Sequence, residues 1–404
     1  MNKPAVIALV ITLLDAMGIG LIMPVLPSLL REYLPEADVA NHYGILLALY
    51  AVMQVCFAPL LGRWSDKLGR RPVLLLSLAG AAFDYTLLAL SNVLWMLYLG
   101  RIISGITGAT GAVAASVVAD STAVSERTAT TEIYTLSLHD ALPICAAFGA
   151  GLIAGPAIGG LAGDISPHLP FVIAAILNAC TFLMVFFIFK PAVQTEEKPA
   201  EQKQESAGIS FITLLKPLAL LLFVFFTAQL IGQIPATVWV LFTESRFAWD
   251  SAAVGFSLAG LGAMHALFQA VVAGALAKRL SEKTIIFAGF IADATAFLLM
   301  SAITSGWMVY PVLILLAGGG IALPALQGII SAGASAANQG KLQGVLVSLT
   351  NLTGVAGPLL FAFIFSQTQQ SADGTVWLIG TALYGLLLAI CLLIRKPAPV
   401  AATC

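Results

Sequence analysis

Apolar residues in this chain come in runs of roughly 20, the length of helix that crosses the hydrocarbon core of a bilayer, and short polar stretches or Gly/Pro breakers separate them. Read this way, the chain predicts twelve spans. The first six lie near Pro4–Leu26, His42–Leu61, Pro72–Leu90, Leu94–Val118, Leu142–Gly163 and Pro170–Phe189. Six more follow at Pro217–Phe242, Ala252–Leu276, Thr284–Ile303, Trp307–Ile330, Leu342–Phe365 and Thr375–Ile394. The first run is too long for the core of a signal peptide and lacks a small-residue cleavage site, so it is expected to stay as a span.

Composition agrees with this reading. Across 404 residues 59% are hydrophobic and 10% charged, against about a quarter charged in a soluble domain. Mean hydropathy is +0.97. With so few charges the chain cannot cover a water-facing surface, which points to an all-α membrane protein. The net charge of −1 carries little information; the placement of charge carries more. With the N-terminus put in the cytoplasm, sixteen Lys and Arg fall on the inside: Lys3, Arg63, Lys67, Arg70, Arg71, Arg127, Lys190, Lys198, Lys203, Lys216, Lys278, Arg279, Lys283, Lys341, Arg395 and Lys396. Two, Arg31 and Arg246, fall outside, and Arg101 lies within a span. The positive-inside rule then puts both termini in the cytoplasm. The five cysteines, at 56, 145, 180, 391 and 404, follow no metal-ligand spacing and read as small hydrophobes.

The segment Pro191–Gly208 (PAVQTEEKPAEQKQESAG) holds too little apolar surface to fold and reads as part of a cytoplasmic linker over 191–216. It separates an N-terminal six-span half, 1–190, from a C-terminal six-span half, 217–404. The halves echo one another: GRWSDKLGRR from Gly62 follows span two and GALAKRLSEK from Gly274 follows span eight, with Lys278 where the first copy has Asp66.

An ionisable side chain at the middle of a span costs about 2.5–3.5 kcal/mol on insertion scales, so each one needs a reason. Asp15, Asp84 and Arg101 sit in spans one, three and four; His265 and Asp293 sit in eight and nine. Arg101 is a poor proton carrier, because guanidinium does not usefully deprotonate, and is expected to balance Asp15 or Asp84. The second half has no Lys or Arg within a span to neutralise Asp293. A carboxylate stripped of water favours its neutral form and an imidazole titrates near neutral pH, so Asp293 and His265 are the expected proton-handling groups. Together these residues outline a polar cavity suited to exchanging a cationic solute for protons. Asp120 and Asp164 lie near span ends. Gln54, Gln229, Gln233, Gln327 and Asn351 add polar faces that can also serve as interhelical glue.

Two motifs narrow the class. Gly62, Asp66, Gly69, Arg70 and Arg71, between spans two and three, resemble the G-x-x-x-D-x-x-G-R-[R/K] loop of major facilitator transporters. Asp66 can bind helix N-terminal amides or a nearby Arg and so latch the cytoplasmic side. In span five Gly151, Gly155, Pro156, Gly159 and Gly160 (GLIAGPAIGG) resemble that superfamily's antiporter motif; small residues let helices approach closely and Pro156 bends the span. Gly354–Pro358 echoes it weakly in span eleven. The resemblance implies the major facilitator fold, in which substrate binds at the midplane between two repeats.

Longer runs resemble TetA-type tetracycline/proton antiporters over nearly the whole chain: LVITLLDAMGIGLIMPVLP from Leu9, GRIISGITGATGAVAASVVAD from Gly100, QLIGQIPATVWVLFTE from Gln229 and LILLAGGGIALPALQG from Leu313. That resemblance implies export of a tetracycline, chelated to Mg²⁺, against inward protons across a bacterial inner membrane. The proton gradient would be the energy source, with no cofactor, no nucleic-acid partner and a monomeric carrier. It implies that Asp15, Asp84 and Asp293 are essential carboxylates. His265 and Asp293, with Asp15, would couple protons; Asp84, Gln54 and Asp15 would contact substrate; Arg101 would balance charge; and the Asp66 loop would gate.

One stretch departs from the family. TATTEIYTLSLHDALPIC, Thr128–Cys145, is longer than the family's short aromatic- and Gly-containing connection and unlike it in character. It reads as foreign, an insertion or an assembly artefact, so that His139 and Asp140 are not a catalytic pair; resequencing of the source gene that returned the same codons would refute this. Three other readings of the chain stay open from sequence: an antiporter of a different drug, a proton-coupled uptake symporter, and a ligand-sensing receptor on a transporter scaffold. Nothing in it has the nucleophile–base pair, phosphate loop or metal-ligand spacing of an enzyme.

Overall fold

In the computed structural model, residues 3–108, 110, 113, 138–188, 216–334 and 338–393 are described. The helices, in chain order, are α1 Lys3–Ile22, α2 Leu26–Arg31, α3 Glu36–Leu68, α4 Arg70–Ala89, α5 Leu94–Thr107, α6 Leu138–Ile165 and α7 Leu169–Ile188. Then come α8 Ala219–Phe247, α9 Ser251–Leu267, a wider π-helical stretch Phe268–Ala273, α10 Gly274–Ala277 and α11 Glu282–Ala302. Finally α12 is Val309–Gly319, α13 Ala322–Ala332, α14 Gln339–Thr368 and α15 Thr375–Leu393. Among the described residues 10 helical segments are long and apolar enough to cross a membrane, and Val6–Ile22 and Leu94–Thr107 are shorter apolar helices. Each of the twelve corresponds to one expected span. The expected linker 191–216 lies outside the described residues except for Lys216, and so do Asp120, Arg127 and Thr128–Ser137; Leu138–Cys145 is helical in backbone.

Two spans differ from expectation. The first does not run on to Leu26: α1 stops at Ile22, Met23–Val25 form a turn, and α2 restarts with Pro27 in its first turn. Proline lacks the N–H that a helix interior needs but fits a first turn, so Pro24 and Pro27 turn one apolar run into two helices. Span ten is likewise interrupted. α12 ends at Gly319 and α13 begins at Ala322, after three consecutive glycines, each of which weakens a helix by about 1 kcal/mol relative to Ala.

The chain forms two compact units, Met1–Ala192 with Thr243–Ala263, and Val193–Phe242 with Met264–Cys404. In the first, Ala8, Ile11, Leu61, Val73, Leu74, Leu78, Val113 and Val185 make a buried apolar cluster. In the second, Trp377 is the hub of an aromatic cluster, with edge-on contacts to Trp239, Phe242 and Phe297 at 6.1, 5.6 and 5.2 Å. Helix surfaces carry bare Trp95, Phe187, Phe363 and Leu392, which water would penalise and lipid accepts. Cys56 and Cys180 are exposed on helices and Cys391 is buried, all as free thiols.

The small-residue motif sets the packing inside the first unit. A side chain at Gly151, Gly155 or Gly159 would run into the backbone of α1 at Leu13, Met17 and Leu21, the approach at Gly155 being 2.6 Å to the Met17 carbonyl. One step round α6, Pro156 and Gly160 lie against Gly255 and Ser251 of α9. The spacing of four puts one set of glycines on each face, so α6 is wedged between α1 and α9. Gly149, in the same helix, meets nothing within 4 Å.

Candidate functional site

In the first unit, the charged residues expected within spans gather around α4 and α5. Asp84 is fully buried and Arg101 is 7% exposed, and the Arg101 guanidinium donates to Asp84 Oδ2 in an ion pair. Of the two partners open from sequence, Arg101 takes Asp84. Glycines make room for it: Asp84 Oδ1 occupies the space where Gly100 would carry a side chain, and at Gly105 a Cβ would come within 2.6 Å of Met53 Cβ and 2.7 Å of the Tyr50 carbonyl. That close approach of α5 to α3 puts the Tyr50 ring under the guanidinium, 5.8 Å from ring centroid to Cζ, a cation–π contact. It also brings Gln54 Nε2 to the Gly108 carbonyl at 3.1 Å. Asp15 stands apart, half-buried on α1 and without an ion pair among the described residues. The phenols of Tyr50 and Tyr85 lie within electrostatic range of Asp15, Asp84 and Arg101, and the Tyr85 hydroxyl is 2.9 Å from where a Cβ on Gly18 would stand.

In the second unit three side chains converge on the glycines that interrupt span ten. Phe268 lies beside Gly318, the Asp293 carboxylate fills the space at Gly319, and the His265 ring lies 3.1 Å from a Cβ position on Gly320. Larger residues at 319 would collide with Asp293. His265 Nε2 is 3.2 Å from the Leu316 carbonyl. A carbonyl only accepts, so Nε2 carries the hydrogen and Nδ1 is the position that takes up a further proton. The Tyr384 hydroxyl partners Asp293 in a hydrogen bond, while its ring packs against Phe290 and Phe297. Gln229 Nε2 donates to Thr350 Oγ1 at 2.8 Å, and Gly357 receives the stem of Gln233; these two glutamines work as interhelical contacts.

The loop between α3 and α4 closes on itself. Arg70 donates to Asp66 Oδ1 at 2.7 Å and to Ser65 Oγ at 3.1 Å, across Gly69 at φ +90° and ψ 164°, a conformation essentially reserved for glycine. The Asp66 side chain is 70% exposed, which limits this pair to about 1 kcal/mol or less and makes it easy to break. Arg71 reaches instead to α7: it donates to the Phe186 carbonyl and lies 5.9 Å above the Phe186 ring. Gly62 has open space around it.

Sequence reasoning missed Tyr50, Tyr85, Tyr384 and Phe186, because a tyrosine or phenylalanine in an apolar span gives no signal of its own. The run GGG at Gly318–Gly320 was visible, but it could be tied to His265 and Asp293 only by the fold.

Comparisons with known proteins agree with this architecture. The sequence profile of the Major Facilitator Superfamily matches residues 8–358. The chain is 96% identical over 404 residues to "Tetracycline resistance protein, class D" of Salmonella ordonez, covering 100% of both. It is 59% identical over 392 residues to "Tetracycline resistance protein, class B" of Escherichia coli, covering 96% of this chain and 95% of the relative. Among solved structures, that of the nucleoside transporter NupG superposes with a TM-score of 0.73 at 17% identity, over 98% of this chain and 100% of the other, which shows a shared fold. The Asp66 loop, the α6 packing motif, the twelve apolar helices among the described residues and these matches lead to one assignment: the chain belongs to the Major Facilitator Superfamily of membrane transporters, among its tetracycline resistance proteins.

Proposed function

We propose that this chain is a secondary transporter that expels tetracycline, as a chelate with a divalent cation such as Mg²⁺, in exchange for protons. The observation that carries the reading is the 96% identity, over the full length of both chains, to a protein named for tetracycline resistance. The buried chemistry supports it. Asp15, on α1, has no ion pair among the described residues, which suits a site for the monocationic drug–metal chelate. Asp84 is already matched by Arg101, so its part is to orient and balance rather than to supply free charge. In the second unit Asp293 has no ion pair among the described residues and His265 keeps one nitrogen open, so this pair is suited to loading and unloading protons. The weak Asp66–Arg70 pair suits a cytoplasmic gate that opens and closes in each cycle. Both termini lie in the cytoplasm by the Lys/Arg asymmetry, the likeness to tetracycline resistance proteins supports placement in a bacterial inner membrane, and the carrier works as a monomer of two six-helix repeats, 1–190 and 217–404, joined by the linker 191–216.

The test is uptake of tetracycline into inverted membrane vesicles bearing the chain, energised by a proton gradient, with and without Mg²⁺. Uptake that requires Mg²⁺ and collapses on adding an uncoupler is the expected result. Uptake that is equal without the metal would refute the chelate as substrate. Silence both in this chain and in one carrying the family's short connection in place of Thr128–Cys145 would refute the drug assignment itself.

A further inference from the structure

A cavity of about 460 Å³ in the first unit is lined by Arg31, Glu36, Asp164, Glu244, Ala248 and Asp250, among others. Asp15, Asp84 and Arg101 do not line it, and none of its residues has a part in the transport chemistry above. Its centre is an ion pair. Arg31, the last residue of α2, lies 2.8 Å from Glu244 Oε2 near the end of α8, and its other face holds Glu36 at 2.8 and 3.2 Å. The Glu244 side chain is 9% exposed and also accepts from Ser28 Oγ at 3.5 Å. Beside it the start of α9 is fixed by two carboxylates. Asp164, from the end of α6, accepts from Ala252 N at 3.2 Å, and Asp250 accepts from Ala253 N at 2.8 Å, both placed where a helix N-terminus favours negative charge. The glycine seam of α6 runs directly behind these contacts, with Gly163 facing Ser251.

Polar ties from α2 and α6 thus reach α8 and α9, which the chain places beyond the linker. We infer that Arg31 and Glu244 form the latch of the outer gate. They hold shut the end of the transporter opposite the Asp66–Arg70 loop, and their separation is required for drug to leave. The inference rests on the orientation given under the proposed function, in which the turns carrying Arg31 and Arg246 face outward. Glu244 is the more buried partner and Arg31 has a second carboxylate in Glu36, so the two losses are unequal. Without Arg31, a buried carboxylate is left uncompensated and seeks water, which drives the latch open. Without the Glu244 charge, Arg31 keeps Glu36. With both neutral, a hydrogen-bonding pair remains and the drive is gone.

The test reads gate opening directly. In a chain whose five cysteines are replaced by Ser, Ala248→Cys reports on the cavity, and its reaction with a membrane-impermeant maleimide is timed in intact cells. Arg31→Gln is expected to speed labelling about tenfold, Glu244→Gln to speed it less, and Arg31→Gln/Glu244→Gln to return within about threefold of the parent. A double variant labelled as fast as or faster than Arg31→Gln, or rates that do not change at all, would overturn the latch. Labelling confined to inverted vesicles would overturn its placement on the outer side. As a second route that needs no charge removal at Arg31, a short thiol-specific cross-linker between Ser28→Cys and Glu244→Cys is expected to arrest transport, reversibly if the linker is cleavable; transport that continues with the link in place would contradict the latch. The labelling rates need no tetracycline, so a failed drug assignment and a failed latch give different results.

Discussion

Arg101 shows how costly a single charge in this protein is. At 7% exposure it is held by Asp84 and the Tyr50 face, and removing one partner of a buried pair costs about 3–5 kcal/mol because the other charge stays behind. Asp84→Asn is therefore expected to lower the melting temperature of the purified transporter by more than Asp84→Asn/Arg101→Gln does. A double variant at least as unstable as the single would show that the pair is not what stabilises this core. Glycines allow the opposite kind of test. Gly69, at φ +90° with no neighbour within 4 Å, is there for its backbone alone, and Gly69→Ala is expected to cost about 1–3 kcal/mol. Gly62 sits in a helix with open space around it, so Gly62→Ala is expected to be neutral or slightly stabilising. Thermal melting of the two variants side by side distinguishes them. At this scale the sequence was informative wherever polarity was out of place: Asp15, Asp84, Arg101, His265 and Asp293 stand out in apolar spans. It was silent where the partner is aromatic or is the main chain, as with Tyr50, Tyr384 and the Leu316 carbonyl.

At the scale of elements, spacing was enough to find the spans and not enough to find their breaks. Apolar runs show where a helix can cross a membrane, and among the described residues each of the twelve expected spans holds an apolar helix, ten of them long enough to cross. The interruption at Gly319–Ala322 and the turn at Met23–Val25 leave hydropathy unchanged, so a window of apolar residues passes over them. The π-helical stretch Phe268–Ala273 just after His265 was hidden for the same reason, since one extra residue in a turn changes no composition. The α6 motif was legible as small residues in fours, while the two helices it meets were not, because only the tertiary fold decides that Gly151, Gly155 and Gly159 take α1 and Gly160 takes α9. Overpacking a close contact costs about 1–3 kcal/mol. Gly159→Val is expected to reduce the amount of folded transporter recovered from membranes, with Gly149→Val in the same helix close to wild type. Equal recovery of the two would contradict the wedge of α6 between α1 and α9.

At the scale of the whole molecule, the proposed function joins drug, protons and gates. Asp15, Asp84 and Gln54 belong to one compact unit, and His265 and Asp293 to the other. Under the proposed function, exchange requires that occupancy by drug alters occupancy by protons, a coupling of binding free energies. Asp293 is the most direct place to break that coupling, because it has no ion pair among the described residues and lies against the glycines that interrupt span ten. The decisive measurement is the alkalinisation or acidification of inverted vesicles when tetracycline with Mg²⁺ is added to an established proton gradient, comparing the chain with Asp293→Asn. Proton efflux from the vesicle lumen that tracks drug entry, and that disappears in Asp293→Asn while drug binding persists, is the predicted result. Drug-driven proton movement undiminished in Asp293→Asn would contradict the account at its centre.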